Sequence, residues 1–252
     1  MSRGRHKGLD LNGWLVIHKP EGISSAHAVA IVKRITQAAK VGHGGTLDPF
    51  SEGLLPMALG RATKRLALIL EGDKGYHCWI RFGSETDTGD PTGRVTAQTD
   101  RLPDRAALEA ALQHFLGPQE QRPPAYSAIH VGGVRAYELA RRGETVELPM
   151  RSVVLHELQL ESYEAGLAKV RVRCGKGTYM RSLARDLGHH LGSLAHLQRL
   201  LRTETLGFSL EEGVTLERLA QQVEQGRLEA LLLPVDRLLD DIPASRLRSK
   251  SE

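Results

Sequence analysis

The chain has 252 residues, of which 40% are hydrophobic, 25% charged and 4% aromatic, with a formal net charge of +4. This composition is ordinary for a globular protein of one large or two smaller domains, and the few aromatic residues argue against a broad stacking platform for single-stranded nucleic acid. The mild positive charge permits nucleic-acid binding without requiring it.

Two cysteines, Cys78 and Cys174, are too few for a disulfide framework and lack the paired spacing of a zinc site. No apolar stretch approaches the ~20 residues that span a bilayer, and the polar start has no apolar signal core. We therefore expect a soluble, cytoplasmic protein with a solvated basic tail over residues 1–10.

The first periodic segments predict a strand and then a helix. Residues 14–18 form a short apolar run, which indicates a strand. The turn after it leads to Ser24 or Ser25, either of which can cap a helix that ends near Gln37.

A glycine-rich loop over residues 42–56 contains the carboxylate of Asp48 in its turn. Pro49 favours an extended conformation of Asp48, and the loop is shaped to present a side chain. Aspartate before proline is also a common turn pair, so the residues alone leave a simple connection open as well. Positive φ angles and close backbone approach are allowed at Gly42, Gly44, Gly45 and Gly53.

The later elements predict an α+β fold. Residues 76–82 alternate as a strand, and an amphipathic helix follows Asp104 and runs to Phe115. Residues 151–163 and 167–174 predict a hairpin, with a helix after it from about Tyr179 to Leu191. We expect a mixed, mainly antiparallel central sheet flanked by helices and loops.

Five blocks of this sequence resemble, in the same order, the motifs of the TruB family of pseudouridine synthases. Several ordered and chemically distinct blocks are far more specific than one glycine motif. The blocks are residues 13–20 (GWLVIHKP), 43–64 (beginning HGGTLDPFSEG), 74–76 (KGY), 122–128 (RPPAYSA) and 177–183 (GTYMRSL).

The resemblance implies that the protein isomerises uridine 55 in the T loop of tRNA to pseudouridine, without metal or organic cofactor. The target base must be flipped out of the loop before the enzyme can reach it. Asp48 matches the aspartate that initiates cleavage of the glycosidic bond, by covalent attack on the sugar or base or by support of a glycal route. Arg181 matches a cation that pairs with Asp48. Tyr76 matches a tyrosine whose ring packs on the base and takes part in proton movement.

The resemblance also assigns substrate contacts to His43, Tyr76, Tyr179 and Leu200. From the residues alone, His43 would be a turn-capping histidine, Leu200 a core residue and Arg181 a solvent-facing helix charge. Lys19 and Lys64 are candidates for supporting the loop or meeting phosphate, and either could instead be an exposed charge.

The expected organisation is a catalytic domain over residues 11–240, with an insertion at about 123–150 that grips the RNA stem-loop. Residues 241–252 read as a polar tail, and the usual C-terminal RNA-binding domain of bacterial members is expected to be absent. The expected partner is the tRNA T stem-loop, with a monomer that needs no obligate protein partner and no membrane.

Two other functions stay open at this point. A relative with similar motifs isomerises other RNAs under the direction of a guide RNA. The alternative from another class is a tRNA-binding folding factor, in which isomerisation is secondary or lost. The presence of Asp48, Tyr76 and Arg181 argues against an enzyme that has lost its activity. His189 and His190 are adjacent on a helix, and residues 87–93 lack the EF-hand pattern, so neither segment predicts a metal site.

Overall fold

The computed structural model of the chain describes residues 8–127, 129–146 and 148–238. Most of the predicted basic tail and the whole predicted polar tail over 241–252 lie outside these residues. The described residues fall into two compact units, a first unit of residues 8–74 with 202–238 and a second unit of residues 75–201.

Thirteen strands and six helices are formed by the described residues. In chain order they are β1 Gly13–Lys19, α1 Ser25–Thr36, β2 Val41–His43, β3 Glu52–Leu59, α2 Leu66–Glu71, β4 Lys74–Phe82, β5 Ser84–Thr86, β6 Val95–Gln98, α3 Arg105–His114, β7 Gly117–Gln121, β8 His130–Val131, β9 Val134–Arg135, α4 Ala136–Arg141, β10 Arg151–Glu164, β11 Leu167–Cys174, α5 Met180–His190, β12 Ala195–Thr205, β13 Phe208–Ser209 and α6 Leu216–Glu224.

In the first unit, β1 runs antiparallel to β3, and the short β2 pairs with the end of β3 on its other edge. Both faces of β1 are buried, because Leu15 and Ile17 pack with α1 and α6 while Trp14 and Val16 pack on the opposite side. Covered faces explain why this strand reads as a continuous apolar run rather than as an alternating one.

In the second unit, β10 runs antiparallel to both β11 and β7. The tight turn between β10 and β11 places Ala165 at φ 47° and Gly166 at φ 74°. Two positive φ angles are the signature of a type I′ hairpin turn, whose twist matches that of the strands it joins. Along β4 the buried residues alternate with half-buried ones, with Cys78, Ile80 and Phe82 on the buried side.

The predicted α+β fold with a mainly antiparallel sheet is confirmed. Of the two predicted caps for the first helix, Ser24 is the one found, because its side chain accepts from the His27 N–H at the start of α1. The predicted helix after Asp104 is α3, where the Asp104 side chain accepts from the Ala107 N–H. Strands β3, β7 and β12 were not predicted. Gly117 and Pro118, which lie just after the predicted end of a helix at Phe115, begin β7.

The segment expected to project as an RNA-gripping insertion contains a small hairpin and a short helix. Strands β8 and β9 pair with each other, and α4 follows directly. Several of its basic side chains are exposed, among them Arg135, Arg141 and Arg142. Its role in binding RNA stays a prediction. Within the part of the chain that the structure describes, no helix is long and apolar enough to cross a membrane.

Candidate active site

The loop that carries Asp48 connects β2 to β3 in the first unit and is tied down by its backbone. The Gly44 N–H donates to the Pro56 carbonyl at 2.8 Å, and the Ser51 N–H donates to the Asp48 carbonyl at 3.0 Å. The hydroxyl of the buried Ser25 accepts from the Leu47 N–H at 2.8 Å and donates to the Leu47 carbonyl at 3.0 Å. The start of α1 therefore fixes the residue directly before the half-buried Asp48.

The glycines of this loop serve two different physical needs. Gly45 and Gly53 have φ angles of 88° and 108°, which side chains rarely tolerate. Gly44 instead makes room, because a Cβ there would lie 2.8 Å from two carbons of Ile69 in α2. Gly42 makes room in the same way against Leu66, at 2.7 Å. Side-chain packing from α2 therefore holds the start of the loop.

Lys19 is fully buried at the end of β1, so it is not an exposed charge. Its Nζ donates to the carbonyls of Pro20 and Ile23, each at 2.8 Å, and lies 3.5 Å from the carbonyl of Pro49. Burial lowers the pKa of Lys19 to about 8, and the negative charge of Asp48 opposes that shift. Lys19 thus supports the turn that precedes α1 and contacts the residue after Asp48.

His43 is half-buried at the end of β2. Burial lowers the pKa of His43, the Gly45 backbone opposes this, and the charge of Arg202 lowers the pKa further. The imidazole is therefore neutral at pH 7 and does not add a positive charge near Asp48. Lys64, the other lysine proposed from the sequence, is exposed in the short 3-10 turn Gly60–Arg65.

Arg202 is a buried residue of this unit that the sequence analysis missed. It is 1% exposed, and its guanidinium donates to the carbonyls of Leu54 and Gly45 at 2.7 and 3.1 Å. The sequence held no local signal for this role, because Arg202 lies in the unpredicted strand β12 and bonds a residue 157 positions away. A buried arginine must find acceptors inside the protein.

In the second unit, Arg181 is 5% exposed at the start of α5. It donates to the carbonyls of Thr88 and Tyr126 at 2.9 and 2.8 Å, and its Nη1 lies 3.5 Å from Oδ2 of Asp90. The reading of Arg181 as a solvent-facing charge is therefore wrong. These partners fix the direction of its guanidinium.

Asp90 was not predicted as a site residue, because its segment read as a turn. It is 4% exposed, and its Oδ1 accepts from the Thr88 hydroxyl at 2.8 Å and from the Thr92 N–H at 3.0 Å. These bonds hold a carboxylate next to Arg181. The available signal was the pair of threonines flanking Asp90, whose hydroxyls fold back on a carboxylate in turns.

The remaining predicted substrate contacts also lie in the second unit. Tyr76 is 8% exposed at the start of β4, and Leu200 is 6% exposed in β12. Tyr179 is half-buried and immediately precedes α5, where its N–H and C=O both bond the side-chain amide of Gln121, at 2.8 and 3.1 Å. Residues 8–127, 129–146 and 148–238 contain no group of three or more His, Cys, Asp or Glu placed to hold a metal ion.

Solved structures share this fold. The chain superposes on a chain of a Cbf5–Nop10–Gar1 complex with a TM-score of 0.73 and 27% identity, covering 92% of this chain and 62% of that one. A chain of an archaeal box H/ACA Nop10–Cbf5 complex gives a TM-score of 0.69 and 25% identity, over 93% of this chain and 63% of that one. The chain therefore spans less than two thirds of these solved chains.

Sequence matches identify the family. The model for the N-terminal domain of TruB family pseudouridylate synthases matches residues 33–180, and the model for the C-terminal domain of tRNA pseudouridylate synthase B matches residues 181–240. A protein of Zymomonas mobilis named tRNA pseudouridine synthase B is 43% identical over 95% of this chain and 80% of its own length. One of the same name from Bradyrhizobium diazoefficiens is 45% identical over 93% of this chain and 70% of its own length. The chain belongs to the TruB family of pseudouridylate synthases.

Gly44→Ala should destabilise the first unit by about 1–3 kcal/mol, because the new methyl group meets Ile69 in a filled space. Denaturant unfolding measures this cost. Gly175→Ala is the matched control, since its nearest atom lies 3.7 Å away. Combining Gly44→Ala with Ile69→Ala should cost less than the sum of the two single changes by at least ~0.5 kcal/mol. Additive costs would contradict the packing role of Gly44.

Lys19 should make the stability of the protein depend on pH in a defined window. Its pKa is about 8 in the folded chain and 10.5 in the unfolded reference, so between these values the unfolded chain binds more protons. The free energy of unfolding of the wild type should therefore rise with pH relative to Lys19→Met between about pH 8 and 10.5, and run parallel to it below pH 8. Unfolding curves at stepped pH values test this, with the exposed Lys33→Met as control. A constant difference across the window would contradict the burial of the charge.

Proposed function

We propose that this chain is a tRNA pseudouridine synthase that converts uridine 55 of the T loop to pseudouridine. The observation that carries the proposal is the extent of the match to proteins named tRNA pseudouridine synthase B, at 43% to 45% identity over 93% to 95% of the chain. That match includes the loop of Asp48, which the first unit builds as a fixed turn around a half-buried carboxylate.

The reaction is an isomerisation, so atoms and electrons balance without a co-reactant. The bond between ribose C1′ and uracil N1 breaks, the detached base turns, and a bond between C1′ and C5 forms. The proton on C5 leaves and N1 gains one. What the enzyme must supply is access to the base, a group that promotes loss of N1 from C1′, and groups that move the C5 proton.

We assign the first step to Asp48, which acts as an ionised carboxylate. Burial under a flipped base opposes ionisation unless a positive charge or N–H donors offset it. Lys19 supplies a positive charge from the same unit, since its pKa of about 8 keeps it mostly protonated at pH 7. His43, neutral at that pH, is suited to contact a base rather than a phosphate.

The second unit supplies the other proposed groups. Arg181 is the cation expected from the sequence to pair with Asp48, and Thr88, Tyr126 and Asp90 hold its guanidinium. Tyr76 packs on the base and takes part in proton movement. Tyr179 and Leu200 contact the substrate, with Tyr179 fixed through its backbone by Gln121.

The proposed partner is the tRNA T stem-loop, bound by a monomer in the cytoplasm, and no metal or organic cofactor is expected. The predicted insertion over residues 123–150 carries exposed basic side chains that are suited to phosphate contacts. Binding that depends on phosphates weakens as the salt concentration rises. Recognition of a folded loop depends mainly on its shape, which is the usual mode for structured RNA.

Asp48→Asn should abolish pseudouridine formation, with a loss of at least ~10³-fold in rate, because the amide cannot act as a carboxylate nucleophile or base. Purified protein is incubated with an unmodified tRNA transcript, and pseudouridine is mapped by chemical labelling and primer extension. A single signal at position 55 that disappears in Asp48→Asn is the expected result. Asp100→Asn, at an exposed position of the second unit, is the matched control.

The same experiment separates the enzyme from a folding factor. The enzyme predicts that Asp48→Asn still binds the transcript within a few-fold of the wild type, because only the reactive group has changed. Tight tRNA binding without any modification by the wild type would contradict the proposed function. Signals at many uridines would contradict the assignment to uridine 55 and leave the isomerase activity intact.

Arg181→Met should lower kcat by ~10²-fold or more and change the Kd for tRNA by only a few-fold, because the cation acts on the reacting carboxylate rather than on the RNA backbone. Single-turnover rates and filter binding measure the two quantities separately. Arg185→Met is the matched control, because Arg185 lies on the same helix and also donates to a backbone carbonyl, that of Arg122 at 3.0 Å. An unchanged kcat in Arg181→Met would refute the pairing with Asp48.

A further inference from the structure

A single buried guanidinium joins the two ends of the Asp48 loop within the first unit. The Nε of Arg202 donates to the carbonyl of Leu54 at 2.7 Å, and its Nη2 donates to the carbonyl of Gly45 at 3.1 Å. Gly45 lies three residues before Asp48, and Leu54 lies six residues after Asp48, in β3. The segment that presents Asp48 is therefore closed by one side chain from a distant part of the sequence.

Arginine suits this bridge better than any other side chain. Its planar fork presents several N–H donors in fixed directions, so one group can satisfy two carbonyls, that of Gly45 in the loop and that of Leu54 in β3. Gly45 leaves room for the guanidinium, because a Cβ at Gly45 would lie 3.3 Å from Nη1. A buried carbonyl without a donor is costly, so Arg202 fixes the places where both carbonyls must lie.

Arg202 also interacts electrostatically with the titratable groups near Asp48, which form a cluster with Lys19 and His43. Its charge lowers the pKa of Lys19 and of His43, in both cases after the larger effect of burial. The acidic groups that act on Lys19 in the same cluster are Asp48, Glu21 and Glu52. The positive charge of Arg202 does not titrate in the range where a carboxylate or a histidine does.

We propose that Arg202 is the positioning residue of the reaction, which holds the Asp48 loop in its reactive shape and adds a fixed positive charge to the cluster that contains its carboxylate. The proposal rests on the proposed role of Asp48. We assign Arg202 a role that acts through the loop, because two of its donors bond backbone carbonyls on either side of Asp48.

The kinetic test compares Arg202→Met and Arg202→Lys with the wild type on an unmodified tRNA transcript. Arg202→Met should lower kcat by ~10²-fold, because a small displacement of a reacting group has an effect of that size. KM should stay within ~3-fold, since the RNA contacts are not altered. Arg237→Met is the matched control, because Arg237 is also an arginine of the first unit that donates to a carbonyl, that of Gly207 at 3.2 Å.

The pH dependence of kcat separates the effect of the Arg202 charge on Asp48 from its structural effect on the loop. Without the positive charge the carboxylate is harder to ionise, so the acid limb of kcat should move to higher pH in Arg202→Met. Arg202→Lys keeps the charge but loses the fork. It should restore the acid limb while kcat stays ~10-fold below that of the wild type.

Hydrogen exchange gives a readout that does not need activity. The amides of Gly44, Leu47 and Ser51 are bonded within the loop or to its anchor, Ser25. In Arg202→Met these amides should exchange at least ~10-fold faster, while those of α1 and α6 keep their wild-type rates. Arg237→Met should leave the loop amides unchanged.

The outcomes distinguish this proposal from the proposed function. If the wild type makes no pseudouridine, the proposed function fails, and faster exchange confined to residues 42–56 still supports the hold of Arg202 on the loop. Wild-type kcat together with wild-type loop exchange in Arg202→Met would overturn the proposal, as would a raised KM at unchanged kcat or exchange that rises equally throughout the chain. If Arg202→Met does not fold, Arg202→Lys decides, and wild-type values of kcat and loop exchange in that variant would overturn the proposal.

Discussion

The Asp48 loop depends on buried cations that bond its backbone carbonyls. A turn built from glycines has no strand ladder for all of its carbonyls, so their acceptors need donors from elsewhere. Lys19 and Arg202 are such donors. Lys19 reaches the carbonyl of Pro49 at 3.5 Å in addition to those of the turn before α1, and Arg202 bonds those of Gly45 and Leu54. A buried charge is costly without hydrogen bonds, and a buried carbonyl is costly without a donor, so each group offsets the cost of the other.

The second unit uses the same arrangement around Arg181. Its guanidinium is bonded to the carbonyls of Thr88 and Tyr126, which lie in irregular segments, and it has a carboxylate neighbour in Asp90. A cation tied to the backbone cannot follow its substrate, and it needs no rearrangement when charge develops nearby. Fixed donors of this kind are the basis of electrostatic preorganisation. Asp90 therefore matters for orientation, although the sequence presents it as one turn residue among several.

Local patterns in the sequence were sufficient for most of the fold. The alternation over residues 76–82, the cap at Ser24, the helix after Asp104 and the hairpin of residues 151–163 and 167–174 are all set by local sequence, and all were predicted. Strand β3 was missed because its faces are both buried and Pro56 lies inside it, which removes the alternation. The same limit applies to the site. Asp48 stands out in its own glycine-rich loop, whereas the hydrogen bond from Arg202 to Gly45 joins residues 157 positions apart.

The pKa of Lys19 links the loop to the proposed chemistry. The negative charge of Asp48 is the first of the effects that raise this pKa against burial, and the balance leaves it at about 8. If Asp48 forms a covalent bond with the substrate, its charge is lost, and the pKa of Lys19 must fall further because burial then acts with less opposition. Arg202 keeps its charge throughout, since a guanidinium does not titrate in this range. The two buried cations therefore have different roles. The pKa of Lys19 responds to the charge of Asp48, whereas the charge of Arg202 stays constant while its hydrogen bonds hold the loop.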